Sequence, residues 1–242
     1  MMMHKNNFYT SYIKRFLDIA FSLLALIIFS WLYIIVAILV KINLGSPVIF
    51  AQVRPGIIDP KTGKEKLFKL YKFRSMTNET DEDGDLRPDD VRLTRFGELL
   101  RAMSLDEIPE AINILKGDMS IIGPRPQLVR DMVFMSDEQR KRHTVKPGLS
   151  GLAQVNGRNC ILWEDKLNYD LEYIKHISLI EDIKLVLITV IKVFKTESIS
   201  FDGMATAEDY GDYLLRTKKI SKQEYLEKQK EAKLLLDEFN KK

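Results

Sequence analysis

The run IAFSLLALIIFSWLYIIVAILV, residues 19–40, decides the architecture of the chain: 22 consecutive residues carry no charge between Asp18 and Lys41. As one straight helix the run would be about 33 Å long, enough to cross the hydrocarbon core of a bilayer. A cleaved signal peptide fits poorly, because the run is too long and no small-x-small cleavage site follows. A buried helix of a soluble protein is the remaining alternative. Lys14 and Arg15 flank one end, and Lys41 and Arg54 follow the other. Positive charge marks the cytoplasmic side, so basic residues at both ends assign no orientation to a straight span. A helix that enters and returns on one face satisfies both ends, with Ser30-Trp31 near the middle as the bend. Trp31 and Tyr33 favour membrane interfaces and suit a bend better than the centre of a span. Asp18, just inside the first end, is expected to seek a basic partner there.

Around this anchor, composition sets the limits. The chain has 242 residues, of which 45% are hydrophobic, enough for one sizeable domain with an appendage. Cys160 is the single cysteine, so no intramolecular disulfide forms, which suits a cytoplasmic compartment. His4, His143 and His176 are scattered and show no zinc-site spacing. The net charge of +3 is mild. Nucleic acid is a poor partner class, because residues 79–90 are acidic and no basic face interleaved with aromatics appears. The same acidic run lacks the ligand spacing of a calcium loop.

The spacing predicts a small β-hairpin after the anchor, pairing Val48-Ile49-Phe50 with residues 67–74. On the second strand Phe68, Leu70, Lys72 and Arg74 share one face. A basic helix is predicted over roughly 93–103. Ser104-Leu105-Asp106-Glu107 then opens a predicted helix over 104–116, with Ser104 as N-cap and Gly117 as the stop. Ser-x-x-Glu is also a capping box, so Glu107 has a purely structural reading beside a chemical one. A helix start attracts anions, which makes the two carboxylates a candidate reactive pair.

Pro124 and Pro126 stiffen the loop that carries Arg125, and a guanidinium suits phosphate oxygens. Residues 128–145 read as a mixed-charge helix. Residues 146–158, with three glycines, read as a phosphate-cradling loop or an ordinary connection. From Trp163 to Phe194 the pattern is helical and amphipathic, with Ile183, Val186, Val190 and Phe194 on one stripe. That stripe fits either a membrane interface or a core. Residues 216–242 read as a charged helical tail that docks on the domain or mediates association.

In order, Tyr71-Lys72-Phe73-Arg74-Ser75-Met76, Ser104-Leu105-Asp106-Glu107, Leu115-Lys116-Gly117-Asp118-Met119-Ser120, Gly123-Pro124-Arg125-Pro126 and Lys146-Pro147-Gly148 through Asn156-Gly157-Arg158 resemble the bacterial sugar transferase family, the monotopic polyprenyl-phosphate phosphoglycosyl transferases. The resemblance covers residues 12–210, and the length is similar to that of the short members. It implies an α+β, mostly helical fold: a re-entrant N-terminal membrane helix, a small β-hairpin and amphipathic interfacial helices. The divisions are an anchor over 1–43, a catalytic domain over 44–210 and a C-terminal tail over 211–242.

The implied reaction moves sugar-1-phosphate from a UDP-sugar to undecaprenyl phosphate and releases UMP. It runs through a covalent aspartyl-phosphosugar intermediate at Asp106, and surface glycan synthesis begins with it. The resemblance also implies Mg2+ held by Asp106 and Glu107, with Glu107 positioning the metal or handling a proton. Arg125, Lys72, Arg101 and Arg158 would be substrate contacts. The resemblance to short members favours an N-acetylated or deoxyamino sugar, with hexose-1-phosphate transfer left open. The expected partners are the UDP-sugar, undecaprenyl phosphate and inner-membrane lipids, with a homodimer left open, and the catalytic domain faces the cytoplasm. One departure stands out: the family's Ser-Pro pair at the helix bend is Ser30-Trp31 here. A non-catalytic scaffold of the same fold stays open as an alternative.

Overall fold

A computed structural model describes residues 8–157, 161–194 and 208–241. After a π-helical turn at Tyr9–Ile13, helix α1 (Lys14–Ile28) and helix α2 (Ser30–Leu44) meet at Phe29 and are bent by 65°. No single described helix is long and apolar enough to cross a membrane; the bent pair together meets that length and composition. The bend needs no proline. The Ser30 hydroxyl donates to the Ile27 carbonyl at 2.9 Å, a back-bond of the kind that bends helices by giving a turn carbonyl a second partner.

Strands β1 (Ile49–Ile58) and β2 (Glu65–Phe73) form the antiparallel hairpin, with Phe50 opposite Lys72 and Arg54 opposite Phe68. A one-turn helix α3 (Asp89–Arg92) precedes α4 (Arg95–Ala102), which Thr94 caps by accepting the Gly97 N–H at 3.1 Å. Helix α4 passes so close to the hairpin's end that a Cβ at Gly97 would lie 1.8 Å from the Ser75 carbonyl oxygen.

The predicted helix over 104–116 is corrected here. Leu105–Glu107 is one 3-10 turn, and α5 spans Glu110–Lys116. Pro109 has no N–H to donate to the Leu105 carbonyl, so an α-helix cannot run through it. Ser104 adopts a left-handed backbone (φ 55°, ψ 22°), and its side chain makes no cap. Strand β3 (Ser120–Ile122) pairs in parallel with β4 (Gly148–Ser150). A Cβ at Gly148 would meet the Gly123 nitrogen at 2.0 Å, so this part of the glycine-rich stretch serves close backbone packing.

The single helix expected over 128–145 is instead α6 (Val129–Met132), α7 (Asp137–Arg140) and a 3-10 turn at Lys141–Thr144. Ser136 starts α7 with a capping box, its hydroxyl accepting from Gln139 N and its N–H donating to Gln139 Oε1. Helices α8 (Leu152–Val155), α9 (Trp163–Lys175) and α10 (Leu179–Phe194) follow; the stretch predicted as continuous breaks at residues 176–178. Helices α11 (Tyr210–Arg216) and α12 (Lys222–Asn240) end the described chain. Ala232 of α12 is buried against Val129, Met132 and Val133 of the α6 region, so the tail docks on the domain.

The anchor is built into the domain. Val36 and Val40 of α2 pack with Phe73 and Leu100. Buried Asp18 accepts from the Ser120 hydroxyl at 3.0 Å and the Ile121 N–H at 2.9 Å. Arg15 donates to the Ile114 and Leu115 carbonyls at the end of α5, at 2.5 and 2.8 Å. Lys14 and Tyr9 both bond Asp182 of α10, and Tyr173 donates to the same carboxylate at 2.7 Å. On α10 the predicted stripe of Ile183, Val186 and Val190 faces outward, while Leu185 is fully buried. Phe16, Phe21, Ile27 and Ile28 of α1, Leu99 of α4 and Met103 just after it are exposed as well.

Candidate active site

Asp106 and Glu107 occupy the 3-10 turn between α4 and α5, above the end of β2. Asn113, with no exposed surface, fixes the distance between α5 and the hairpin. Its side chain accepts the Tyr71 N–H at 3.0 Å and donates to the Lys69 carbonyl at 2.7 Å, standing in for a missing strand partner. That clamp delivers Lys72 to the carboxylates. The Lys72 ammonium lies 2.7 Å from Glu107 Oε1 and 3.1 Å from Glu110 Oε1. From the opposite side the Arg125 guanidinium reaches the same Glu107 oxygen at 2.5 Å. Lys72, Glu107, Glu110 and Arg125 therefore form one charged chain beside Asp106.

Each charge shifts its neighbours. Burial penalises the Glu107 carboxylate, but Arg125 and Lys72 outweigh it and hold the acid well below the usual range. Burial likewise opposes the Lys72 charge, yet Glu107 and Glu110 keep its pKa above the ordinary lysine value. Arg125 is pushed up, chiefly by Glu107. Asp106 behaves oppositely. Burial, then repulsion from Glu107, raises it to about 6, against the pull of Lys72, Arg101 and Arg125. Glu110 rises to about 7 for the same first reason, burial. Asp106 is 7% exposed, and among the described residues no group donates a hydrogen bond to its carboxylate. One carboxylate is thus locked between cations, and its sequence neighbour is left uncommitted.

Arg101, on α4, donates from Nε to the Ser75 hydroxyl at 3.0 Å and contributes to the field on Asp106. Arg158 lies outside the described residues. The structure thus brings Lys72, Arg101, Asp106, Glu107 and Arg125 together. Sequence reasoning missed Glu110 and Asn113. Their signal was spacing: Glu110 stands four residues after Asp106 and three after Glu107, and Asn113 interrupts an apolar face three residues later.

A second buried pair supports Arg125 from behind. Arg142 and Asp170 are each almost fully buried, with Arg142 Nε and Nη2 donating to Asp170 Oδ2 at 2.9 and 2.6 Å. The same Nη2 donates to the Arg125 carbonyl at 2.6 Å. Among the described residues, no group of three or more His, Cys, Asp or Glu side chains is arranged to hold a metal by itself.

A buried carboxylate facing a cluster of cations has the charge pattern that phosphoryl groups suit. The family profile described as bacterial sugar transferase matches residues 9–196, and this chain belongs to that family. The uncharacterized sugar transferase EpsL of Bacillus subtilis is 43% identical over 82% of this chain and 95% of its own length. The UDP-glucose:undecaprenyl-phosphate glucose-1-phosphate transferase of Klebsiella pneumoniae is 39% identical over 76% of this chain. The UDP-N-acetylgalactosamine-undecaprenyl-phosphate N-acetylgalactosaminephosphotransferase of Aeromonas hydrophila is 38% identical over 74%. The matches cover 41% and 43% of the latter two proteins' lengths.

Proposed function

We propose that this chain transfers a sugar-1-phosphate from a UDP-sugar to undecaprenyl phosphate, at the start of a surface glycan. The observation that carries the reading is the uncommitted, buried Asp106 carboxylate beside the Lys72–Glu107–Arg125 chain. An Asp106 oxygen attacks the β-phosphorus, and the bond from that phosphorus to the bridging oxygen breaks. The enzyme keeps an acyl phosphodiester to the sugar, and UMP leaves as a dianion. The lipid phosphate then attacks the same phosphorus, restoring the Asp106 carboxylate. Charge balances in both steps without a proton transfer. Glu107, held ionised by two cations, therefore acts as their anchor, in place of the proton-handling role the family resemblance allowed.

Magnesium fits the donor set. A hard cation needs one or two carboxylates and completes its shell with substrate phosphate and water. Asp106 with Glu107 would hold it, and when bound it neutralises diphosphate charge. Lys72, Arg125 and Arg101 bind and orient the phosphates, so that positioning and electrostatics supply the rate.

The bent α1–α2 pair enters and leaves one face of the cytoplasmic membrane, and the outward apolar residues of α4 and α10 lie in the same interface. In that position the lipid phosphate reaches Asp106 from below. The test is UMP release from a panel of UDP-sugars with magnesium and undecaprenyl phosphate. Asp106→Asn should abolish it, and UMP release retained by this variant would exclude Asp106 as nucleophile.

A further inference from the structure

Arg54 is an arginine without an anion. It projects from β1 beneath the Arg125 loop, where Nη1 donates to the Pro126 carbonyl at 3.3 Å and Nη2 to Gln52 Oε1 at 2.6 Å. Its Nε is buried with no partner. Both acceptors are neutral, and no described carboxylate lies within ion-pair distance of it. The charges around it are Arg125, Asp131, Glu110 and Arg130. The three others besides Arg125 are committed elsewhere. Asp131 accepts from the Leu128 and Tyr210 N–H groups, Arg130 pairs with Asp209 at 2.6 Å, and Glu110 pairs with Lys72. Burial and then Arg125 push the Arg54 pKa down to about 10, so the cation sits there at a cost. Strain of this sort gathers where a ligand relieves it.

Its side of the site matters. Asp106 feels Lys72, Arg101 and Arg125, whereas Arg54 feels Arg125, Glu110, Asp131 and Arg130. Arg125 bonds Glu107, the neighbour of Asp106, and Arg54 bonds the carbonyl of Pro126, the neighbour of Arg125, so a phosphate chain extending from Asp106 along Arg125 comes next to Arg54. In an in-line displacement the nucleophile and the leaving group stand on opposite sides of the phosphorus. With Asp106 attacking the β-phosphorus, the α-phosphate points away from Asp106.

We propose that Arg54 binds the α-phosphate of the nucleotide donor and stabilises it as it leaves in UMP. The inference rests on the phosphoglycosyl transfer reading above. The negative charge that grows on the departing oxygen as its bond to the β-phosphorus breaks is shared between Arg125 and Arg54, and no further reactant is required.

The test uses the full chain in detergent or nanodiscs, with UMP as the titrant and UDP-sugar turnover as the second readout. Arg54→Met should weaken UMP binding about ten- to a hundred-fold, the loss expected for a charge-assisted contact. It should leave the thermal midpoint unchanged or raise it, because an unpaired cation has been removed. Arg54→Lys should recover part of the affinity, and Arg54→Gln, which keeps a donor for the Pro126 carbonyl, should not. A purely structural arginine gives the reverse pattern: a lower thermal midpoint, shared by Arg54→Lys, with UMP affinity within twofold of the parent. That result overturns the proposal. If the unaltered protein releases no UMP from any UDP-sugar, the reaction assignment itself fails, which is distinct from an Arg54 variant that behaves like the parent.

Discussion

Removing one member of the Arg142–Asp170 pair should damage stability and activity together, while removing both should separate them. The two side chains are 1% and 2% exposed, so Asp170→Leu leaves the Arg142 guanidinium buried and uncompensated. Breaking a buried pair on one side costs about 3–5 kcal/mol. For a protein of this size each kcal/mol moves the thermal midpoint by about 2–4 °C, so the fall should be about 6–20 °C. The double variant Arg142→Met, Asp170→Leu buries neither charge, and such replacements are often neutral. Its midpoint should return to within a few degrees of the parent. Activity should not return, because Arg142 Nη2 no longer holds the Arg125 carbonyl and with it the loop that carries the Arg125 guanidinium to Glu107. The assay is paired scanning fluorimetry and UMP release on the parent, both single variants and the double. The reasoning fails if Asp170→Leu shifts the midpoint by less than about 2 °C, or if the double variant is as unstable as the two singles added. It fails equally if the double variant turns over at the parent rate.

The pH dependence of kcat/KM should show an acid limb near pH 6, because Asp106 must be ionised to attack and burial raises it to about 6. Glu107→Gln removes a negative neighbour and should move that limb to lower pH while reducing turnover; a limb that stays in place would contradict the coupling. The His143 contribution to fold stability should decline on acidification from pH 6.5 toward 4, while Asp106 and Glu110, raised by burial to about 6 and about 7, contribute the opposite slope. His143 is held neutral by burial, its pKa lowered to about 4, so the stability present above its ordinary value is lost as pH falls through that window. Glu65, lowered to about 2 by His143 and Arg140 against burial, extends the loss below pH 4.5. The difference in thermal midpoint between the parent and His143→Asn should carry the His143 decline between pH 6.5 and 4, and a difference that stays constant with pH would contradict it. For the anchor, single cysteines at Tyr12 and Ile42 in a Cys160→Ser background should be labelled by an impermeant reagent from the same, cytoplasmic side of inverted vesicles. Labelling from opposite sides would establish a span.

Much of the frame was legible because it depends on local patterns. The uncharged run, the hairpin and the basic helix that became α4 follow from charge and periodicity. The bend was legible at Ser30, whose hydroxyl bonds the Ile27 carbonyl, and the two helices meet one residue earlier, at Phe29. Two helix boundaries were misread for local reasons that were present in the sequence: Pro109 stops a helix from Ser104, and Ser136 with Gln139 starts a new one. The site's supporting residues were illegible for a different reason. Arg142 and Asp170 are 28 positions apart, and nothing in either neighbourhood says that a charge there is buried. Asn113 reads as a blemish on an apolar face until the hairpin's unpaired backbone edge lies beside it. Arg54, in a turn-like Arg-Pro-Gly, reads as a surface residue until the Arg125 loop covers it.

The bonds from Arg15 to the end of α5 and from Asp18 to β3 carry a mechanical consequence. Helix α1 is bonded directly to α5, the helix that follows Asp106, and to β3. If α1 and α2 rest in the membrane, their insertion depth sets the height of the reacting oxygen above the lipid phosphates. The anchor then works as a depth gauge. A bilayer of different thickness or headgroup packing should alter how readily the lipid phosphate meets the carboxylate, with no change at the site itself.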